Sequence, residues 1–375
     1  MKLGSKGRSF LCFRPGRCEA DDVSQKGLSM SKTTIQSIPV LDFSLFETDP
    51  KTFLDALKPA ARDVGFFYLT GHGIAQSLID DVLSASRRFF SLPEADKLKI
   101  EMVNSPHFRG YNRVGQELTK GQRDWREQID IGSEAAALPV DGGQPAWTRL
   151  QGPNLWPDAL PELKPILLEW QSELTKLSTR LLKAFAVALE QDRDIFETIY
   201  AGTPNQLIKI IRYPGRDATG SEQGVGAHKD SGFLTLLLQE KQKGLEVETE
   251  DGRWIEAEPR PGTFVVNIGE LLELATDGYL KATVHRVVTP PAGTDRLSVA
   301  FFLGAPFDAE VPLLDLAPHL KAQAGGVTRD PHNPLFRNSG QNALKSRLRS
   351  HPDVAARHHA DLLVAQARAE AVPVA

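Results

Sequence analysis

The residues best suited to chemistry lie in Gly224–Gln239, where a single residue separates His228 from Asp230. Leu234–Leu238 is short, apolar apart from Thr235, and preceded by Gly232. It reads as a buried strand with His-Lys-Asp at its entrance. In an extended chain, residues two apart point to the same side. His228 and Asp230 then reach a common point while Lys229 faces away. An imidazole beside a carboxylate is what a divalent first-row metal asks of a protein, but two ligands are too few. A second imidazole would complete a facial set that leaves positions on a ferrous ion open for substrate and O2.

The chain has nine histidines, at 72, 107, 228, 285, 319, 332, 351, 358 and 359. His285 is the one flanked by strand-like sequence, Ala282–Val288. A turn over Thr289–Asp295 follows, then a second strand over Arg296–Leu303. Folded as a hairpin about Pro290 and Pro291, this places His285 roughly opposite Arg296, with Cβ atoms about 4.5–5.5 Å apart. A bulge in the turn would shift that register by one residue. Ser298 shares the face of Arg296, so a guanidinium and a hydroxyl look into the same cavity as the metal. The planar fork of an arginine suits a carboxylate whose other end binds iron.

His228-x-Asp230, then 54 residues, His285, then ten residues and Arg296-x-Ser298 resembles the isopenicillin N synthase-like Fe(II)/2-oxoglutarate oxygenases. The surrounding text agrees in Asn267–Glu270, Ala275–Tyr279 and His285–Val288. The leader is similar too, from Ile38–Phe43 through Gly65–Gly73, so the likeness runs from Ile38 to Leu303. The resemblance implies a double-stranded β-helix (jelly roll) with a helical leader. It implies a metal site of His228, Asp230 and His285 for Fe(II), with 2-oxoglutarate as cosubstrate held by Tyr213, Arg296 and Ser298. It also implies consumption of O2 and oxidation of a small organic substrate, with release of succinate and CO2. Ser105–Gly132 is where the leader covers the barrel mouth, and Arg109 and Tyr111 are the candidates there for an acidic or amino-acid-like substrate. Three alternatives stay open: a synthase-like oxidase without cosubstrate, an enzyme forming ethylene or succinate from 2-oxoglutarate itself, and a jelly-roll binding protein that merely retains a metal. Ile211 stands where many plant members have Asn, as in the synthase; against the synthase, the chain runs far past any synthase-like tail.

Composition is ordinary for a soluble globular protein, and the resemblance implies a mainly β fold with helices (α+β). In 375 residues, 41% are hydrophobic and 25% charged, with a net charge of −4. That balance gives no pull toward nucleic acid or an anionic membrane. No apolar run approaches the roughly 20 residues that span a bilayer. Cys12 and Cys18 are the only cysteines, so the folded part lacks a disulfide framework, as in a reducing cytoplasm. Oligomeric state is not legible.

The remaining chain must position these groups. Residues 1–36 read as a disordered tail, with Met30 an alternative start that would make the first 29 residues a gene-model extension. A leader over 37–160 begins with the strand Ile38–Phe43. A helix over Lys51–Asp63, disturbed at Pro59, a strand over Gly65–Thr70 and a helix over Ala75–Leu92 follow. His72 reads as a structural turn residue. Glu134–Pro161 is a long loop rich in Gly, Pro and Ala. Region 161–200 carries the main amphipathic helix, Glu162–Gln191, with Ile166, Trp170, Leu174, Leu177, Leu181, Phe185 and Leu189 on one stripe. Region 201–305 is the jelly-roll oxygenase domain, with strands at Leu207–Tyr213, Leu234–Leu238, Leu245–Thr249, Trp254–Ala257, Phe264–Ile268, Thr283–Val288 and Leu297–Leu303. Region 306–375 is a C-terminal helical extension, with His351, His358 and His359 on solvated faces or in C-terminal turns.

Overall fold

A computed structural model describes residues 37–139, 143–202, 204–327, 330 and 333–370, with the side chains of 366–370 not described. The tail expected over 1–36 lies outside the described residues. Among the described residues fourteen strands occur: β1 Val40–Asp42, β2 Phe66–Thr70, β3 Gly110–Asn112, β4 Leu118–Thr119, β5 Gln122–Arg123, β6 Glu127–Gly132 and β7 Asn205–Tyr213; then β8 Gln223–His228, β9 Leu234–Gln239, β10 Leu245–Glu248, β11 Trp254–Glu256, β12 Phe264–Ile268, β13 His285–Val288 and β14 Arg296–Gly304. Eight form a large sheet in the order β1-β2-β12-β9-β14-β7-β6-β3, four form a small sheet β11-β10-β13-β8, and β4-β5 is a separate ribbon. Only β1–β2 pairs parallel. Strands of the leader and of the 201–305 region share the large sheet, because β6 pairs along β7 and β2 along β12.

Period-two alternation sorts each strand of the large sheet into two faces. Leu297, Val299, Phe301 and Leu303 of β14 join Leu234, Leu236 and Leu238 of β9 in the larger core, packed with the helix Leu163–Ala188. Leu163, Leu167, Trp170, Leu174, Leu177, Leu181 and Phe185 of that helix are all buried, at the three- and four-residue spacing that keeps one helical stripe inward. Each such side chain contributes about 1.5–3 kcal/mol by leaving water. The alternate residues face the small sheet. Ile211, Tyr213 and Val265 meet Val225, Leu245, Val247 and Val287 in a second, smaller core.

Of two local expectations, the disturbance at Pro59 is met and the solvated histidines change. The first helix ends as a regular helix at Pro59 and continues as a π-turn over Ala60–Val64, closed by Gly65 N donating to Ala60 O at 2.9 Å. Proline lacks the N–H of a regular turn. The C-terminal histidines sit at helix ends rather than on solvated faces: His351 caps Ser339–Ser350 and His359 caps Pro352–His358, both buried, while His358 is half-buried. His359 stacks on Phe108 at 5.2 Å, which pins this segment to the leader. His72 is structural as expected, bonding Gly262 O and the Ile74 amide. Among the described residues no helix is long and apolar enough to cross a membrane.

Candidate active site

His228 ends β8 and stands directly opposite His285 on β13, with ring centroids 4.3 Å apart. Asp230 follows where the chain leaves the small sheet. Its Oδ1 lies 3.6 Å from His228 Nε2 and 3.7 Å from His285 Nε2. One ligand atom from each of the three falls within 4.8 Å of the others.

Neighbouring groups fix how each ligand points. His228 Nδ1 bonds Gly226 O at 2.8 Å and His285 Nδ1 bonds Thr283 O at 3.1 Å, so both Nε2 atoms turn toward Asp230. A backbone carbonyl on Nδ1 selects the tautomer that leaves Nε2 free to ligate. Asp230 Oδ2 accepts from Thr235 Oγ1 at 2.5 Å and Asn267 Nδ2 at 2.8 Å, leaving Oδ1 for the shared point. Burial, then the His228 charge, push His285 down to about 4, so it stays neutral. Burial opposes ionisation of Asp230, but His285, His228 and Asn267 outweigh it and hold the carboxyl far below its usual range. For His228, burial is outweighed by Asp230, which raises its pKa. This is a divalent-metal donor set: two imidazoles facing one ionised carboxylate, each oriented from behind.

The triad stands on the wall shared by two cavities. The inner one, about 60 Å³, is lined by Tyr213, Arg296 and Ser298 together with His228, Asp230 and His285. Arg296 is fully buried, and its Nη1 and Nη2 donate to Ser298 Oγ at 3.2 Å and Gln239 Oε1 at 2.7 Å. Its Nε has no partner, and no carboxylate pairs with it among the described residues. Burial lowers its pKa against the influence of Tyr213, whose ring lies 5.0 Å from the guanidinium. An unpaired buried guanidinium is costly unless an anion meets it. The residues therefore fit a dicarboxylate keto acid reaching from the triad to Arg296.

The outer cavity, about 1000 Å³, touches the triad at His228 and Asp230 and is walled by β4, β7 and the helix Ser339–Ser350. Arg109 lines it. Tyr111 does not: it is buried against Phe89, and its hydroxyl donates to Glu127 Oε2 at 2.6 Å. The structure thus brings seven of the eight expected site residues to the two cavities and leaves Tyr111 in the core. The wall also holds a buried ion network. Glu117 pairs with Lys209 at 2.7 Å and Arg126 at 2.7 Å, and Asp130 with Arg347 at 2.7 Å.

The expected hairpin does not form. β13 pairs with β8 and β10 in the small sheet, whereas β14 pairs with β7 and β9 in the large one. Thr289–Asp295 crosses between sheets, and Arg296 lies opposite Tyr213. His285 and Arg296 still share a cavity because both face the sandwich interior. His228 likewise belongs to its own strand rather than to the entrance of β9; Gly224 and Gly226 weaken the strand signal of β8. Sequence reasoning also missed Thr235, Asn267 and Arg126. Asn267 lay inside a quoted motif; polar residues at inward positions of apolar strands were the available signal.

Residues 38–159 match the family described as non-haem dioxygenase in morphine synthesis, N-terminal, and residues 204–305 match the 2OG-Fe(II) oxygenase superfamily. The chain is 36% identical over 341 residues to the 2-oxoglutarate-dependent dioxygenase frbJ of Dothideomycetidae sp., covering 86% of this chain and 91% of that one. It is 38% identical over 301 residues to homoarginine-6-hydroxylase 2-ODD-C23.1 of Arabidopsis thaliana, covering 76% and 89%. A full-length Neurospora crassa protein, solved in complex with alpha-KG and 5-formyluracil, superposes with a TM-score of 0.66 at 26% identity, covering 83% of this chain and 96% of that one. The chain belongs to the Fe(II)/2-oxoglutarate-dependent oxygenases. It is an oxidoreductase of jelly-roll fold that uses Fe(II) and 2-oxoglutarate on a small molecule.

Proposed function

We propose that His228, Asp230 and His285 ligate the ferrous ion, and that Arg296, Ser298 and Tyr213 take the far carboxylate of 2-oxoglutarate in the inner cavity. The primary substrate enters the outer chamber and is oxidised with release of succinate and CO2. One observation carries this reading: the three ligand atoms converge on the wall between the two cavities, so cosubstrate and substrate approach one point from different sides. Bound iron supplies O2 activation coupled to oxidative decarboxylation of the keto acid. The chain does the rest. Thr235 and Asn267 keep one carboxylate oxygen of Asp230 occupied, the backbone carbonyls hold both imidazoles in the ligating tautomer, and Arg296 positions the dicarboxylate. Arg126 lines both cavities and interacts with Tyr213, joining the two halves of the site. The hydroxylase from Arabidopsis supports a small, amino-acid-like substrate. Absence of cysteine beyond Cys18 supports a cytoplasmic setting.

The test is anaerobic addition of Fe(II) and 2-oxoglutarate, read as the visible charge-transfer band of keto-acid chelation, followed by O2 and assay of succinate. Asp230→Ala should lose the band and the bound iron. Arg296→Gln should keep iron but bind 2-oxoglutarate roughly ten- to a hundredfold more weakly, as expected for a lost charge-assisted contact. Iron retained at full affinity in Asp230→Ala removes the ligand assignment, and unchanged 2-oxoglutarate affinity in Arg296→Gln removes the carboxylate assignment.

A further inference from the structure

Beside the outer chamber one buried guanidinium makes no ion pair among the described residues. Three buried carboxylates, Glu117, Asp124 and Asp130, stand near four cations: Arg109, Arg126, Lys209 and Arg347. Lys209 and Arg126 hold Glu117, Arg126 also approaches Asp124 at 3.5 Å, and Arg347 holds Asp130. Arg109 is left over. It is only 5% exposed, and its Nη2 donates to Leu150 O at 3.3 Å. Its Nε has no hydrogen-bond partner, and it makes no ion pair among the described residues. Of the three buried cations on the chamber wall, Arg109, Arg126 and Lys209, it alone makes no ion pair among the described residues, although Asp130 and Glu134 act on it from farther off.

Its position is fixed by a glycine. A Cβ on Gly132 would stand 2.3 Å from the guanidinium, so the planar group lies against bare backbone. Any side chain at 132 would displace it. A rigid, dehydrated guanidinium facing a cavity is a preorganised anion receptor, because the desolvation cost is already met by the fold.

The strand register gives its distance from the triad. Gly132 lies opposite Leu207, Leu207 opposite Phe302, and Phe302 opposite Thr235, whose hydroxyl holds Asp230. Three strand spacings amount to roughly 14 Å. Allowing about 3 Å of contact at each end leaves roughly 8 Å, the reach of an extended chain of about six bonds.

We propose that Arg109 anchors a carboxylate of the primary substrate, so that the enzyme oxidises a small carboxylic acid at a carbon about six bonds from that group. This rests on the oxygenase reading above, which fixes where oxidation occurs.

The experiment is anaerobic titration calorimetry on enzyme loaded with Fe(II) and 2-oxoglutarate. The probes are L-homoarginine and unbranched six- to eight-carbon acids, each paired with its carboxamide. At least one acid should bind saturably, with its amide roughly ten- to a hundredfold weaker. Arg109→Gln should bring that acid down to the affinity of its amide without changing the amide, and Arg109→Lys should recover part of the loss. The keto-acid band should persist in both variants. The proposal is overturned if no acid binds, if acid and amide bind equally, or if Arg109→Gln leaves acid affinity intact. The wild-type acid–amide comparison decides the point even if a variant fails to fold. A wild-type enzyme without the keto-acid band overturns the parent reading, and this one with it; a normal band without acid preference overturns this one alone.

Discussion

Replacing Arg347 by alanine tests whether the C-terminal helices close the substrate chamber through charge. Arg347 Nη1 lies 2.7 Å from Asp130 Oδ2, and Asp130 is fully buried. Two unit charges 4 Å apart attract by about 4 kcal/mol at an effective dielectric near 20. Lys209, 3.5 Å from the same oxygen, retains part of that compensation once Arg347 is gone. The expected destabilisation is therefore about 2–3 kcal/mol, below the 3–5 kcal/mol typical of stranding one buried charge completely. Urea unfolding of Arg347→Ala, Asp130→Asn and the double variant separates the pair from its surroundings, with a coupling of about 1–3 kcal/mol expected. The effect should be regional. Helix Ser339–Ser350 walls the outer chamber and contributes nothing to the inner one, so 2-oxoglutarate affinity should hold while affinity for the primary substrate falls. Additive stabilities within about 0.5 kcal/mol would show that the pair is geometry without energy. An equal loss of 2-oxoglutarate binding would refute the separation of the cavities.

Two further outcomes follow from the same packing. Burial, partly offset by Glu117, pushes His351 down to about 4 in the folded protein. Its unfolded counterpart titrates near 6.5, so the unfolded chain binds the proton first. This contribution is complete above about pH 6.5 and falls by about 3 kcal/mol as pH drops to about 4. His351→Gln should flatten the pH dependence of urea midpoints in that window, and parallel curves for variant and wild type would exclude the role. At Gly269, a methyl group would stand 2.1 Å from Gly232 O and 3.2 Å from Asp230 O. Gly269→Ala should therefore displace the Asp230 turn, cost about 1–3 kcal/mol, and weaken iron binding roughly ten- to a hundredfold; iron titration showing wild-type affinity would rule this out.

The proposed metal ligands were legible because they are chemically rare and lie in short extended segments where period two fixes their direction. The helix Leu163–Ala188 was legible because its stripe is long. Pairing was not. A local hairpin is the simplest way to connect β13 to β14, and nothing in Thr289–Asp295 says that the chain changes sheets there. Nor do β3 and β6 announce themselves. Gly110–Asn112 is short, and Glu127–Gly132 buries Glu127 and Asp130, which read as surface charge until their partners arrive from 97, 209, 212 and 347. His351 misleads for the same reason: besides Arg347 one helical turn away, its environment is assembled from Asn112 and Glu117, remote in sequence. Long-range polar satisfaction leaves no periodic trace.

The register of β14 is what makes one site of these parts. Its inward residues, Arg296, Ser298, Ala300 and Phe302, all line the inner cavity, and Phe302 also borders the outer chamber. The polar end lies in the inner cavity and the apolar end reaches the outer chamber, past the triad. A slip of one residue would turn Leu297, Val299, Phe301 and Leu303 inward and bury Arg296 among the aliphatic side chains that pack on the long helix. That alternative costs both a core and an unpaired charge in hydrocarbon. The nine paired positions along β7 and six along β9 hold the strand against it. The apolar face of β14 thus fixes the placement of its functional face. Chemistry at the triad depends on Leu297, Val299, Phe301 and Leu303 as much as on Arg296, although none of those four lines either cavity.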